Sequence, residues 1–554
     1  MTLDSLAERY WLAYSEYNPT VATTRGEHEF DDRLRRFDDE WLAEMTATFE
    51  SITEDALALD ASKLGAQERI SLDLLIHETR VWATEISQRF LVAAIDPYLG
   101  PHTRLLSDTR QNTVTSVDQA DALLGRYAKV PQFLDGALRL HLANASAGMT
   151  SALASVERVI GQLDGYLGSD LEDDPFLQLK VPGGGEDWLE RASALVTDEI
   201  RPALARYREG LVSEITALAR PDDKCGLVWI NGGEEIYATM IHKYTQLDKT
   251  PQEIHDIGLH WATEVNAAEW VQIGGATLDA ETMDQVFARL HDDPGMRFES
   301  EDEMLQQARE AIARAWDAVD QWFGARPETP CEVVPVPKTQ APAMPPAYYM
   351  QPPIDGSRPG TYFLNTYKPE ERDRFEYESI HFHEAIPGHH FDRSLAAELV
   401  GIPTFRRYAQ VHAHTEGWGL YSERLADEMG LYSSDLDRLG MVSADAWRAG
   451  RLVTDTGIHA LGWSRQQAID FLRKWTPIGE LTIAQEVDRY IGMPGQALSY
   501  KMGQLEIMRL RREAESRLGD RFDIKGFHDS LLVNGAMPLP TLAETVDEWI
   551  ASVA

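Results

Sequence analysis

Through most of the first 218 residues, apolar side chains recur three and four positions apart. That is the period of a helix with one buried face, so Thr2 to about Leu218 is predicted as successive amphipathic helices. Helix-start chemistry recurs further on. Thr250-Pro251-Gln252-Glu253 combines an N-cap threonine, a proline at the first helical position and a glutamate at the third. Ser464 with Gln467 is a second capping box. Ser300 opens a long run, EDEMLQQAREAIARAWDAVDQWF, whose acidic first turn suits the helix dipole. Strand signals are few. CEVVPVP (331–337) alternates weakly before its prolines, and TYFLNTY (361–367) is β-branched and aromatic between turn residues. The prolines and glycines from 326 to 360 mark loops around a small sheet. A mainly helical protein with a minor β element just before residue 370 is expected.

With 554 residues, length alone suggests two or more domains: an N-terminal helical part over 1–220 and a second over 221–554. The net charge of −38 repels phosphate backbones and anionic lipid surfaces, so neither nucleic acid nor membrane is expected as a partner. A composition 43% hydrophobic and 9% aromatic is nonetheless that of a folded globule. Two cysteines, Cys225 and Cys331, exclude a disulfide scaffold and a multi-cysteine metal site, and two reduced thiols are the simpler reading. The N-terminus, MTLDSLAERYWLAYSEY, has no basic n-region and no apolar h-region. The longest strongly apolar run, Phe90 to Ile95, falls far short of the roughly 20 residues that span a bilayer. These features predict a cytoplasmic protein of open oligomeric state.

Candidate chemistry is concentrated in ESIHFHEAIPGHHFDRSL (378–395), which contains His381, His383, Glu384, His389 and His390. In a zinc hydrolase, His-Glu-x-x-His puts two imidazoles one turn apart on one helix face, and the glutamate beside the first histidine acts as general base. Here position 387 is proline. On a regular helix His389 would lie about 120° off the His383 face, and His390 would return to that face roughly 10 Å along the axis. Pro387 cannot donate to the carbonyl of His383, and Gly388 permits unusual dihedrals. Together they predict a bulge that brings His389 beside His383. About 30 residues on, Glu416 between His414 and Gly417 is the best third ligand, with Gly417 and Gly419 permitting close approach. Glu423, two turns later, is expected behind the ligands. His381, His412 and His414 read as structural.

HEAIPGHH (383–390) and EGWGLYSE (416–423) resemble bacterial domain-of-unknown-function family 885. Further matches are PTVATTRGEHEFDDRL (19–34), YMQPPIDGSRPGTYFLNTY (349–367), RLVTDTGIHALGWSRQQAI (451–469), PGQALSYKMG (494–503) and FHDSLLVNGAMPLP (527–540), so the resemblance spans nearly the whole chain. The family is similar to zincin-type metallopeptidases, in particular the helical Taq-type zinc carboxypeptidases. The resemblance implies a mainly α, zincin-like fold with a small β-sheet and a deep central groove, built as one intertwined unit. It makes His383 the first ligand, Glu384 the base and Glu416 the third ligand of one Zn²⁺ or another divalent ion. The Pro-Gly insertion departs from the zincin pattern and leaves the second ligand between His389, which the bulge favours, and His390.

Other residues follow from that frame. TYFLNTY stands where zincins keep the edge strand that pairs with an extended substrate. PGQALSYKMG supplies Tyr500, the first choice for stabilising an oxyanion, with Gln496 and Lys501 as substrate contacts. Arg448 and Arg451 are candidate carboxylate clamps, and Asp455 and His459, four apart, can face one another. Lys243 and Tyr244 carry no specific role. The expected function is metal-dependent hydrolysis of a peptide or small amide, as by a carboxypeptidase. Hydrolysis of a non-peptide amide or ester, and a binding protein with a degenerate metal site, are the alternatives. If the negative field reaches the groove, it favours basic over acidic peptides.

Overall fold

The computed structural model describes residues 2–183, 185–338, 341, 344–352, 358–409 and 411–554. Residues 353–357, inside the YMQPPIDGSRPGTYFLNTY motif, lie outside the described residues.

The N-terminal part folds as the helical periodicity predicts. Thr2 and Ser5 form a capping box that starts helix Leu3–Tyr17. Asp38 caps Asp39–Leu57 by accepting from the amide of Trp41. That helix packs along Ala66–Gln88, burying Phe49, Ile52 and Ala56 against Leu72, Leu75 and Ala83. The same core takes in Phe405, Ala409, Val411 and Ala536 from far along the chain. Polar ties cross at the same place. Arg406, buried, donates to the carbonyl of Gln67, to Ser71 Oγ at 2.9 Å and to the carbonyl of Asn534.

The capping signals in the second half mark real helix starts. Thr250 and Ser464 form their boxes with Glu253 and Gln467, and Ser300 Oγ accepts from the amide of Glu303 at 3.2 Å. Helix Glu301–Trp322 buries Met304, Ala308, Ala311 and Ala315 in a second core, which also contains Tyr362, Phe382 and Trp418.

The sheet has three strands, β1 (Cys331–Pro335), β2 (Ala347–Met350) and β3 (Gly360–Leu364), in the order β1-β3-β2. β1 runs parallel to β3 with Cys331 opposite Gly360, and β2 antiparallel with Ala347 opposite Leu364. TYFLNTY was expected at an edge, but β3 is central and bonded on both sides. It therefore has no free edge to offer an extended substrate. It supports the site instead: the hydroxyl of buried Tyr362 pairs with His381 Nδ1 at 2.7 Å. Cys225 and Cys331 are both free thiols. No helix among the described residues is long and apolar enough to cross a membrane.

Candidate metal centre

Four helices build the site. The first histidine helix, Tyr377–Glu384, ends just before Pro387, and the second, His389–Glu398, starts just after Gly388. The difference from the expected bulge is that the helix breaks outright. The Ile386–Pro387 peptide is cis, and the chain folds back over the end of the first helix. At Gly388 an added Cβ would stand 1.9 Å from the carbonyl oxygen of His383, so only glycine permits this approach. Trp418 pins the break from the third helix, its Nε1–H donating to the carbonyl of Pro387 at 2.8 Å. The result sets the His383 and His389 rings 4.6 Å apart at 83°.

The glutamate helix, His412–Glu428, brings Glu416 to the same point. Glu416 Oε2 lies 3.6 Å from His383 Nε2 and 3.4 Å from His389 Nε2. The three side chains are 19%, 5% and 11% exposed, so the cluster is nearly closed and opens through the carboxylate. The two glycines that follow Glu416 serve different neighbours. A Cβ at Gly419 would sit 2.7 Å from the His383 ring, whereas one at Gly417 would sit 2.5 Å from the backbone of Gly503 on the fourth helix, Ser499–Leu518.

Behind the ligands, Glu423 is fully buried and its Oε1 accepts from His383 Nδ1 at 2.7 Å. Its other oxygen accepts from Ser379 Oγ at 2.5 Å, a partner the sequence does not announce. This fixes the tautomer that turns His383 Nε2 toward Glu416. Burial alone would lower the His383 pKa, but the Glu416 carboxylate beside it and the hydrogen-bonded Glu423 outweigh this and push it up to about 9. Burial opposes ionisation of Glu416 too, yet the two imidazoles hold its carboxyl well below the usual range.

The donor set fits a divalent ion. With bonds of about 2.0–2.1 Å, two donors on a tetrahedral ion stand roughly 3.3–3.4 Å apart. The observed 3.4 and 3.6 Å match that edge and exceed an ordinary hydrogen bond of about 2.7–3.2 Å. All three donor atoms lie within 4.8 Å of one another. Imidazole and carboxylate suit zinc and several other divalent ions.

Other predicted residues divide by what they touch. His390 turns away, with Nε2 on the carbonyl of Thr329 and Nδ1 on Tyr349 Oη, both at 3.1 Å, so it does not replace His389. Glu384 is close enough to His383 to contribute to the rise in its pKa. The Tyr500 ring lies 6.5 Å from that of His383, inclined by 22°. Burial and then the charge of Glu416 push the Tyr500 pKa up, keeping the phenol protonated. Gln496 donates to Tyr500 Oη at 3.4 Å and accepts from Arg489.

Two expected substrate contacts are corrected. Arg451 does not reach out: its Nη2 bonds Glu486 at 2.9 Å, its Nε bonds Tyr490 Oη at 3.1 Å, and its guanidinium lies 4.5 Å from the Tyr500 ring centre. Lys501 is fully buried, donating to Asp445 at 2.7 Å and Gln504 at 2.8 Å, because its stretch of helix faces the core. Arg448 packs over the Trp447 ring at 4.9 Å. Asp455 and His459 do not pair. Asp455 accepts from Tyr237 Oη and the amide of Gly495, while His459 bonds the backbone of Leu227 and Tyr490.

A cavity of about 450 Å³ adjoins the centre from the side of the N-terminal helices. Its wall includes Gln496 and His412, the latter one turn before Glu416, and also Lys243 and Tyr244, to which the sequence assigned no role.

The chain superposes over its full length on the putative lipoprotein from Colwellia psychrerythraea, with a TM-score of 0.92 at 25% identity and 100% of each chain covered. A putative lipoprotein of unknown function from Shewanella oneidensis gives 0.78 at 18% identity, covering 98% of this chain and 99% of the other. A looser overlap with a putative oligoendopeptidase F from Bacillus anthracis, 0.33 at 12% identity over 94% and 95% of the chains, carries no weight. No curated protein matches. The expectation of a cytoplasmic protein does not stand, because both of these structural neighbours are described as putative lipoproteins. The family model matches residues 19–546, so this chain belongs to DUF885, a family of bacterial proteins of unknown function.

Proposed function

We propose that this protein is a metal-dependent hydrolase of peptide or amide bonds. The observation that carries the reading is the spacing of His383 Nε2, His389 Nε2 and Glu416 Oε2, which matches the edge of a tetrahedral ion better than a set of hydrogen bonds. A divalent ion held by these three groups, zinc by preference, supplies Lewis acidity and makes water a nucleophile near neutral pH. The chain's own residues do the rest. Glu384, next to the first ligand, takes the proton from the attacking water and returns it to the leaving nitrogen. Tyr500, neutral and facing the site, donates its hydroxyl hydrogen to the oxyanion. Arg451 and Gln496 hold that ring and hydroxyl in place. Glu423 and Ser379 orient His383 and touch no substrate.

The test is metal analysis of protein purified without chelator, paired with hydrolysis of a short-peptide panel by wild type and Glu384→Ala. About one zinc per chain in both proteins, with turnover only in wild type, is expected. Failure to take up zinc or any other divalent ion would sink the reading.

A further inference from the structure

The cavity beside the metal centre has an electrostatic character opposite to that of the whole chain. Its acids are engaged. Glu78 accepts from Tyr10 Oη at 2.9 Å, Glu85 pairs with Lys243, and Asp96 accepts from the amides of Tyr98 and Leu99 at 2.9 and 3.0 Å. Its cations are not all engaged. Arg104 lines the cavity, and its guanidinium has no hydrogen bond or ion pair among the described residues. Arg25 lies 5.1 Å from the ring centres of both Trp11 and Tyr14, with its buried Nη1 unpartnered among the described residues. A buried guanidinium nitrogen without an acceptor costs free energy that an anionic ligand would recover. The aromatic wall beside it would cover the apolar part of such a ligand.

The cavity also communicates with the chemistry. Arg104 is close enough to Tyr244 to offset part of the rise that burial gives its pKa, and the Tyr244 ring packs edge-on against His412, 5.1 Å between centres. His412 begins the helix that presents Glu416 one turn later. The opposite flank, Met493 to Gln496, ends at the amide that holds Tyr500.

We infer that this cavity is the subsite for a carboxylate-bearing end of the substrate, with Arg104 receiving the carboxylate and Arg25 with its aromatic neighbours forming the wall. The inference rests on the hydrolase reading for the identity of the ligand as a peptide. It reverses, at this one place, the preference for basic peptides that net charge suggests. The carboxylate can be the peptide C-terminus or an acidic side chain near it.

Calorimetric titration of the Glu384→Ala protein, as purified and with zinc added, separates these. The probes are a tripeptide ending in phenylalanine as free acid, the same peptide as its amide, and an amide ending in glutamate. The free acid is expected to bind about tenfold to a hundredfold more tightly than the amide, as for one charge-assisted pair. Arg104→Gln should erase that difference while leaving zinc stoichiometry and Tm unchanged, and Arg104→Lys should restore part of it. Recovery of affinity by the glutamate amide assigns the carboxylate to a side chain. Equal binding of all three probes, an unaltered preference in Arg104→Gln, or no binding of any probe overturns the inference. Turnover by wild type is read separately. Acid-selective binding without turnover would sink the hydrolase reading and leave the subsite, whereas turnover blind to end charge would do the reverse.

Discussion

Replacing Glu423 by glutamine removes one buried charge and keeps its shape. Its Oε1 stands 2.7 Å from His383 Nδ1, and this contact is one of the causes that raise the His383 pKa to about 9. Without metal, a pKa of about 9 leaves roughly one molecule in a hundred with a neutral His383 at pH 7. A metal must displace that proton, so the apparent affinity at pH 7 should lie about a hundredfold below its high-pH plateau. It should rise about tenfold per pH unit until it flattens near pH 9. Glu423→Gln should act in two opposite ways. The plateau should begin at lower pH, because one of the three carboxylates that favour the proton is gone. The plateau affinity itself should fall by about 10–100-fold, or ~1.4–2.8 kcal/mol, because the imidazole is a weaker and less firmly oriented ligand. Competition against a chromophoric chelator from pH 6 to 9.5 reads both effects. A wild-type affinity that is flat below pH 8, or curves for wild type and variant that coincide, would refute the reasoning.

Tyr500→Phe should bind metal as wild type does and turn substrate over about 10²–10³-fold more slowly; an unchanged kcat would remove its oxyanion role. Gly417→Ala drives a methyl to 2.5 Å from the backbone of Gly503 and should cost about 1–3 kcal/mol, read as a lower urea midpoint with unchanged slope. Asp455 tests stability against pH, since burial pushes its pKa up to about 7 despite its bonds to Tyr237 and Gly495. Between about pH 4 and 7 the folded chain keeps a proton that the unfolded chain has lost, so this group's stabilisation falls by ~1.4 kcal/mol per pH unit as pH rises, ~4 in all. The wild-type minus Asp455→Asn difference in unfolding free energy should follow that slope and level off above pH 7; a flat difference would contradict it.

Helix starts were the most legible part of the fold because their chemistry is local. Thr250 with Glu253, and Ser464 with Gln467, need only their own four residues to form. The place of TYFLNTY in the sheet was illegible because strand order depends on two partner strands that begin about 30 residues and end about 10 residues before it. At the site, the misfit of His389 to a helical period and the Pro-Gly pair pointed to a distortion. The form of the distortion is set by tertiary contacts such as the indole of Trp418 on the carbonyl of Pro387, which spacing does not encode. Lys501 and Arg451 were misplaced for a common reason. A basic residue near a functional motif reads the same whether it faces substrate or a buried acid, and here Asp445 and Glu486 lie far off in sequence. Arg104 gave no signal at all, since its interest lies in having no hydrogen-bond or ion-pair partner among the described residues.

The net charge of −38 says little about the site, because the field there is set by a few residues at short range. Around His383 stand three carboxylates: Glu384, Glu416 and Glu423. With both imidazoles neutral, that point is strongly negative in a nearly water-free setting, and only a cation relieves it. In the metal-free chain the proton on His383 is that cation, and its raised pKa measures the same field that a divalent ion would meet. The neighbouring cavity presents the opposite sign, with its acids already bonded and Arg104 open. A substrate that places a carbonyl at the negative, cation-binding point and a carboxylate at the guanidinium satisfies both fields at once. A peptide with a basic end would leave the guanidinium without its counter-charge. The polarity of the two adjoining sites, more than the overall charge, therefore sets which way round a peptide would enter.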